Sequence, residues 1–209
     1  QLILTATPIP RTLAMSAYAD LDVSTINELP PGRTPVQTVA IANSRRDEII
    51  ERIENLCQQG SQVYWVCTLI DESEEIQAQS AQAAFELIGS LLPSCTIALL
   101  HSKVPQAQKI STMKAFKENQ IQILVATTVI EVGVDVPNAS VMVIENAERL
   151  GLAQLHQLRG RVGRGSTASH CILLYKSPLS AMAKERIDVM RQTDSGFIIA
   201  EKDLQLRGP

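Results

Sequence analysis

From Val36 to Tyr175 the chain alternates short apolar runs with amphipathic stretches, and that alternation restricts the folds open to it. Residues 38–42, 62–68, 95–100, 122–126, 140–145 and 169–175 read as strands. Residues 46–58, 74–92, 106–118 and 152–158 read as helices. Ile49, Ile53 and Leu56 sit at helical spacing, as do Ala81, Phe85, Ile88 and Leu92, and Gly60 stops the first helix. Strands joined by helices predict an α/β fold with a parallel sheet covered on both faces and right-handed crossovers. Two more helices, over 179–192 and 197–206 with Asp194-Ser195-Gly196 between them, predict a C-terminal helical hairpin. Ahead of the alternation, Leu2-Ile3-Leu4 reads as the end of a buried strand, 12–18 as a helix and 21–29 as one more strand. Pro30-Pro31-Gly32-Arg33-Thr34-Pro35 is a stiff connector by composition. The units are therefore 1–34, 35–176 and 177–209.

Composition narrows the partners. A hydrophobic fraction of 45% supplies a full core for 209 residues. Aromatics at 3% are too few for a stacking platform to dominate single-strand binding. With a net charge of -3, any basic surface for nucleic acid must be local. Cys57, Cys67, Cys95 and Cys171 form no Cys-x-x-Cys pair and the histidines number 3, which argues against a zinc site and for free thiols in a reducing, cytoplasmic setting. There is neither a signal-peptide pattern nor an apolar run of spanning length, so no membrane partner is expected.

Phosphate chemistry concentrates in one stretch, Gln154-Leu155-His156-Gln157-Leu158-Arg159-Gly160-Arg161-Val162-Gly163-Arg164-Gly165. An arginine fork bonds two phosphate oxygens at once, and neighbouring glycines let the backbone turn tightly. The stretch reads as a helix end that aims Arg161 and Arg164 at a nucleotide's terminal phosphate; a solvated basic loop is the alternative. Its G-x-x-x-x-G spacing is not a phosphate loop, because Ser166 stands where the lysine belongs and a helix precedes it. Ligands of open parallel sheets sit beyond the strands' carboxyl ends. Thr127-Thr128, His101-Ser102-Lys103, and Thr68 with Asp71 follow strands at that edge, where hydroxyls, a lysine and backbone N–H groups suit a phosphate backbone. Capping of the next helix is the other reading of Thr127 and Thr128.

Three motifs then carry a resemblance that covers essentially the whole chain. Thr5-Ala6-Thr7-Pro8-Ile9-Pro10-Arg11-Thr12 resembles motif III of superfamily 2 helicases. Val125-Ala126-Thr127-Thr128-Val129-Ile130-Glu131-Val132-Gly133-Val134-Asp135-Val136-Pro137 resembles motif V, and Gln157-Leu158-Arg159-Gly160-Arg161-Val162-Gly163-Arg164 resembles motif VI. The connector Leu29-Pro30-Pro31-Gly32-Arg33-Thr34-Pro35-Val36, the run from Trp65 to Glu74 and the ending from Gly196 to Pro209 are similar to the RecG family of bacterial branch-migration helicases. Transcription-repair coupling factors are the near relative. One departure stands out: that family carries His-Gly-Arg-Met where this chain has His101-Ser102-Lys103-Val104, so a lysine replaces a bidentate fork.

The resemblance implies the tail of a first RecA-like lobe and a linker over 1–34, a second RecA-like lobe over 35–176, and a truncated translocation-motif hairpin over 177–209. It implies ATP with Mg2+ as cofactor, the metal ligands lying in a first lobe. The implied partners are branched double-stranded DNA in recombination and repair, and the first lobe and wedge domain of the same protein. Arg161 and Arg164 would be arginine fingers, with Gln157 positioning them or the water. Gly133, Asp135 and Gly160 would meet the nucleotide. Thr127, Thr128, His101, Ser102 and Lys103 would meet DNA. Thr5, Thr7, Arg186 and Arg207 would couple the two sites. A coupling-factor-type translocase and a non-catalytic nucleic-acid-binding module are the competing readings.

Overall fold

The computed structural model describes residues 35–68, 74–127, 136–165 and 167–207. Six strands form one sheet: β1 (Val36–Ala42), β2 (Gln62–Cys67), β3 (Ile97–Leu100), β4 (Ile123–Ala126), β5 (Ala139–Glu145) and β6 (Ser169–Tyr175). Every pairing is parallel, and the order across the sheet is β1-β6-β5-β2-β4-β3. The helices are α1 (Arg46–Gln58), α2 (Glu74–Leu91), α3 (Gln106–Lys117), α4 (Leu152–Arg159), α5 (Ala181–Gln192) and α6 (Gly196–Arg207).

The strands are apolar without alternation because both faces are covered, and period 2 sends successive residues into two separate cores. Tyr64, Val66, Leu124, Met142, Ile144 and Leu173 join the core that also holds Phe116, Leu155, Met190 and Ile199. Val63, Trp65, Ile123, Val125, Val143 and Leu174 join the core built with Ile53, Ala81 and Ile88. Gly60 ends α1 with φ +89, and the Ser61 N–H reaches back to the Leu56 carbonyl at 3.0 Å.

The α/β expectation holds, with local differences. β1 starts at Val36, not residue 38, because Val36 pairs with Ser169 at the other strand's start. β3 is shorter than expected, since Cys95 and Thr96 belong to the turn whose Cys95 N–H bonds the Leu92 carbonyl. α5 starts at Ala181 because the Ser180 hydroxyl caps it, accepting from the Ala183 N–H. Gly196 opens α6 instead of closing the turn.

Candidate functional site

In a parallel sheet the strand ends line up, so β2, β4 and β3 deliver their following residues side by side. Val66 pairs with Ala126 and Ala126 with Leu100, and the Thr127 N–H donates to the Leu100 carbonyl at 3.1 Å. Thr68, Thr127 and His101 thus share one edge, as their positions after the strands predict. Their states differ. The Thr68 hydroxyl is locked inward, donating to the carbonyl of Glu145. Thr127 is 2% exposed, and its hydroxyl has no partner among the described residues. The same is true of the His101 Nδ1. Burial, then the Lys109 and Lys103 charges, hold the His101 pKa below its ordinary value. Lys109 folds the loop onto α3 by donating to the Ser102 carbonyl at 2.8 Å. Lys103 lies in an exposed 3.2 Å pair with Glu75, a contact cheap to exchange for a phosphate.

Beside this edge, Arg46 pairs with Glu145 at 2.5 Å and lies 5.2 Å over the Trp65 ring, while the Trp65 indole N–H donates to the same carboxylate. Neither Arg46 nor Glu145 stands out in the sequence, because their partners are far along the chain.

The arginine stretch lies elsewhere. α4 returns the chain from the end of β5 to the start of β6, which puts its carboxyl end at the opposite edge of the sheet. Gln154 caps α4 by accepting from the Gly151 N–H at 3.1 Å, and Gln157 faces solvent. After Gly160 the backbone turns tightly, with Arg161 N–H bonding the Leu158 carbonyl at 3.0 Å. Gly163 has φ +78. A Cβ on Gly165 would lie 2.6 Å from the Pro137 carbonyl oxygen, so the backbone just after Arg164 packs closely against the backbone at Pro137.

The three arginines take different environments. Arg161 is half-buried and makes no described hydrogen bond or ion pair through its side chain. Arg164 is exposed, its Nε donating to the Gly160 carbonyl at 3.3 Å. Arg159 is 3% exposed and turns inward. Its Nη1 donates to the carbonyls of Met190 at 3.0 Å and Thr193 at 2.8 Å, and to the Thr38 hydroxyl at 3.4 Å. Its Nη2 meets the His156 Nδ1 at 3.1 Å, which places His156 in a packed hydrogen-bonded role.

Arg186 is half-buried and donates to the Glu148 carbonyl at 2.8 Å, in the short turn after β5. Thr5, Thr7, Thr128, Gly133, Asp135 and the Arg207 side chain lie outside the described residues. Among the described residues no helix is long and apolar enough to cross a membrane.

A family model described as the helicase conserved C-terminal domain matches residues 45–166. Over 210 residues the chain is 62% identical to the ATP-dependent DNA helicase RecG of Escherichia coli (strain K12), which spans 100% of this chain and 30% of that protein. The RecG of Bacillus subtilis (strain 168) is 46% identical over 209 residues, again covering 100% of this chain and 30% of that protein. The chain therefore spans about a third of the length of these curated relatives. A solved structure of RecG bound to a three-way DNA junction superposes with a TM-score of 0.82 at 44% identity, covering 98% of this chain and 26% of that one. The yeast DEAD-box splicing factor Prp28, at 18% identity and a TM-score of 0.57 over 76% of this chain and 33% of that one, shares the fold alone.

Proposed function

We propose, from the premise that this chain belongs to the helicase conserved C-terminal domain family, that it is the second motor lobe of an ATP-driven double-stranded DNA translocase that remodels branched DNA. The observation that carries the reading is the motif VI turn, where Arg164 is exposed and Arg161 half-buried while Arg159 is buried and holds the turn. Likeness to RecG along the whole chain supports the substrate class.

In this reading Arg161 and Arg164 reach the terminal phosphate of ATP held by another lobe. ATP with Mg2+ supplies the phosphoryl chemistry when bound. A guanidinium suits the task because its planar fork meets two oxygens and its charge does not titrate away. Such fingers stabilise charge that develops in the transition state and are worth about 10³–10⁵ in rate. Gln157, exposed on α4 ahead of the turn, would orient them or the attacking water. At the other edge, the Thr127 hydroxyl, without a partner among the described residues, and His101 and Lys103 offer donors to a DNA phosphate. A buried hydroxyl without a partner forgoes about 1–3 kcal/mol, which a ligand oxygen can return.

The lobe alone supplies fingers without a phosphate cradle, and it is not expected to hydrolyse ATP. The test is Arg161→Ala and Arg164→Ala in the complete protein, with ATP affinity and DNA-stimulated hydrolysis measured separately. Hydrolysis should fall by roughly 10³ or more with affinity nearly unchanged, and lysine should restore little. Equal loss of affinity and hydrolysis would refute the finger role.

A further inference from the structure

Two of the thiols meet outside the site described above. Cys57 stands in the last turn of α1, and Cys95 in the turn that leads from α2 into β3. A side-chain bridge fixes their approach. The Ser94 hydroxyl donates to the Glu54 carboxylate at 2.8 Å, which ties that turn to α1. Residues three apart on a helix are neighbours on one face, so Cys57 follows Glu54 one turn further along the same side. The Cys95 Sγ lies 3.9 Å from the same Ser94 hydroxyl, so its side chain also turns toward α1. Cys57 is buried in the core that holds Ile53, Ala81 and Ile88, and Cys95 packs against that core. There the two thiols interact directly. Cys67 and Cys171 are placed apart from them: Cys67 ends β2 beside Glu145, and Cys171 lies in the other core.

The pair is unequal. Cys95 is half-buried and open to a small oxidant. Burial, then the neighbouring Cys95, push the Cys57 thiol up to about 12. At pH 8 about one molecule in 10⁴ therefore carries the Cys57 thiolate, the form that attacks sulfur. Cys57 is unsuited to start a reaction with an oxidant, but it is placed to finish one. A neutral group at Cys95 removes the second cause of its raised pKa. Placement supplies the rest: a well-oriented neighbour acts at an effective concentration of about 10⁵–10⁸ M, which outweighs a thiolate fraction of about 10⁻⁴.

The geometry points to a hydroperoxide-reactive thiol pair, in which Cys95 is oxidised first and Cys57 resolves it, closing a disulfide between α1 and the turn before β3. In the first step the Cys95 sulfur attacks the O–O bond of a hydroperoxide, ROOH. An S–O bond forms, the O–O bond breaks, and ROH leaves with the thiol proton, so Cys95 becomes a sulfenic acid. In the second step the Cys57 sulfur attacks the Cys95 sulfur. The S–S bond forms, the S–O bond breaks, and the hydroxyl leaves as water with the Cys57 proton. The two sulfurs together lose two electrons and the hydroperoxide gains them. The bridge joins elements on the sheet face away from α4, so the arginine turn needs no rearrangement.

The experiment uses the complete protein, reduced and then freed of reductant, with hydrogen peroxide as the probe. After exposure of the native protein at pH 8, the remaining thiols are blocked with a maleimide in denaturant and protease fragments are weighed. In the wild type the fragments holding Cys57 and Cys95 should be joined, two hydrogens lighter than their sum, and should separate on reduction. In Cys57→Ala the sulfenic acid has no resolving thiol, so dimedone should tag Cys95 roughly tenfold more than in the wild type. Cys95→Ala should leave Cys57 as a free thiol. Three wild-type results would each overturn the pair: Cys95 carried on to the sulfinic acid while Cys57 stays a thiol, either cysteine joined to a different one, or Cys95 left unoxidised. If Cys57→Ala does not fold, the wild-type fragments decide alone.

Discussion

Two glycines in the arginine turn should fail on substitution for different reasons, and the difference can be measured. At Gly163 the obstacle is backbone conformation: φ is +78, where an L side chain crowds its own carbonyl. Gly163→Ala should cost about 1–2 kcal/mol. At Gly165 the obstacle is space. The added methyl would lie 2.6 Å from the Pro137 carbonyl oxygen, closer than a real Cβ contact, and the neighbour is backbone that cannot rotate away. Overpacking of this kind costs about 1–3 kcal/mol, and a rigid neighbour argues for the upper half. In a domain of this size each kcal/mol lowers the melting temperature by about 2–4 °C, so Gly165→Ala should lose roughly 4–12 °C. The assay is thermal unfolding of the chain followed by circular dichroism, with asparagine as the discriminating substitution. Asparagine tolerates the left-handed region, so Gly163→Asn should cost less than Gly163→Ala. The larger side chain should make Gly165→Asn at least as costly as Gly165→Ala. A neutral Gly165→Ala, or asparagine rescuing both positions alike, would refute this account of the turn.

The thiols should sort by burial. Desolvation pushes Cys57 and Cys171 up to about 12 and raises Cys67 as well, so a thiol reagent at pH 8 should label the half-buried Cys95 first and spare the other three until the chain unfolds. Equal labelling rates for all four in the native state would contradict that burial. His101 should make stability pH-dependent. Its folded pKa lies below the ordinary 6.5, so between the two values the unfolded chain binds more protons and stability rises with pH. Denaturant titrations of wild type and His101→Gln across pH 5 to 7 should show a shallower slope in the variant, and parallel slopes would rule out the histidine as the source.

What the sequence determined is the set of elements and their class. Helical and strand periods are local properties, so the alternation from Val36 to Tyr175, the hairpin after Tyr175 and the glycine stop at Gly60 could all be read without a fold. The placement of Thr127 and His101 at one edge was legible too, because parallel strands must deliver their following residues to the same side. Strand order was not: β2 lies between β5 and β4 through contacts between distant segments, and no local pattern specifies them. The sequence singles out Arg161 and Arg164 for a phosphate but gives no role to Arg159, two residues before Arg161. Tertiary structure separated them, since only packing of α5 against α4 brings the Met190 and Thr193 carbonyls within reach of Arg159 and leaves Arg161 without a described partner. The same is true of Arg186, whose acceptor is a backbone carbonyl 38 residues away, and of Gly165, whose need for glycine comes from Pro137. A side chain's type sets which bonds it can make, but its burial and acceptors come from segments far off in the chain, and these decide which bond it makes.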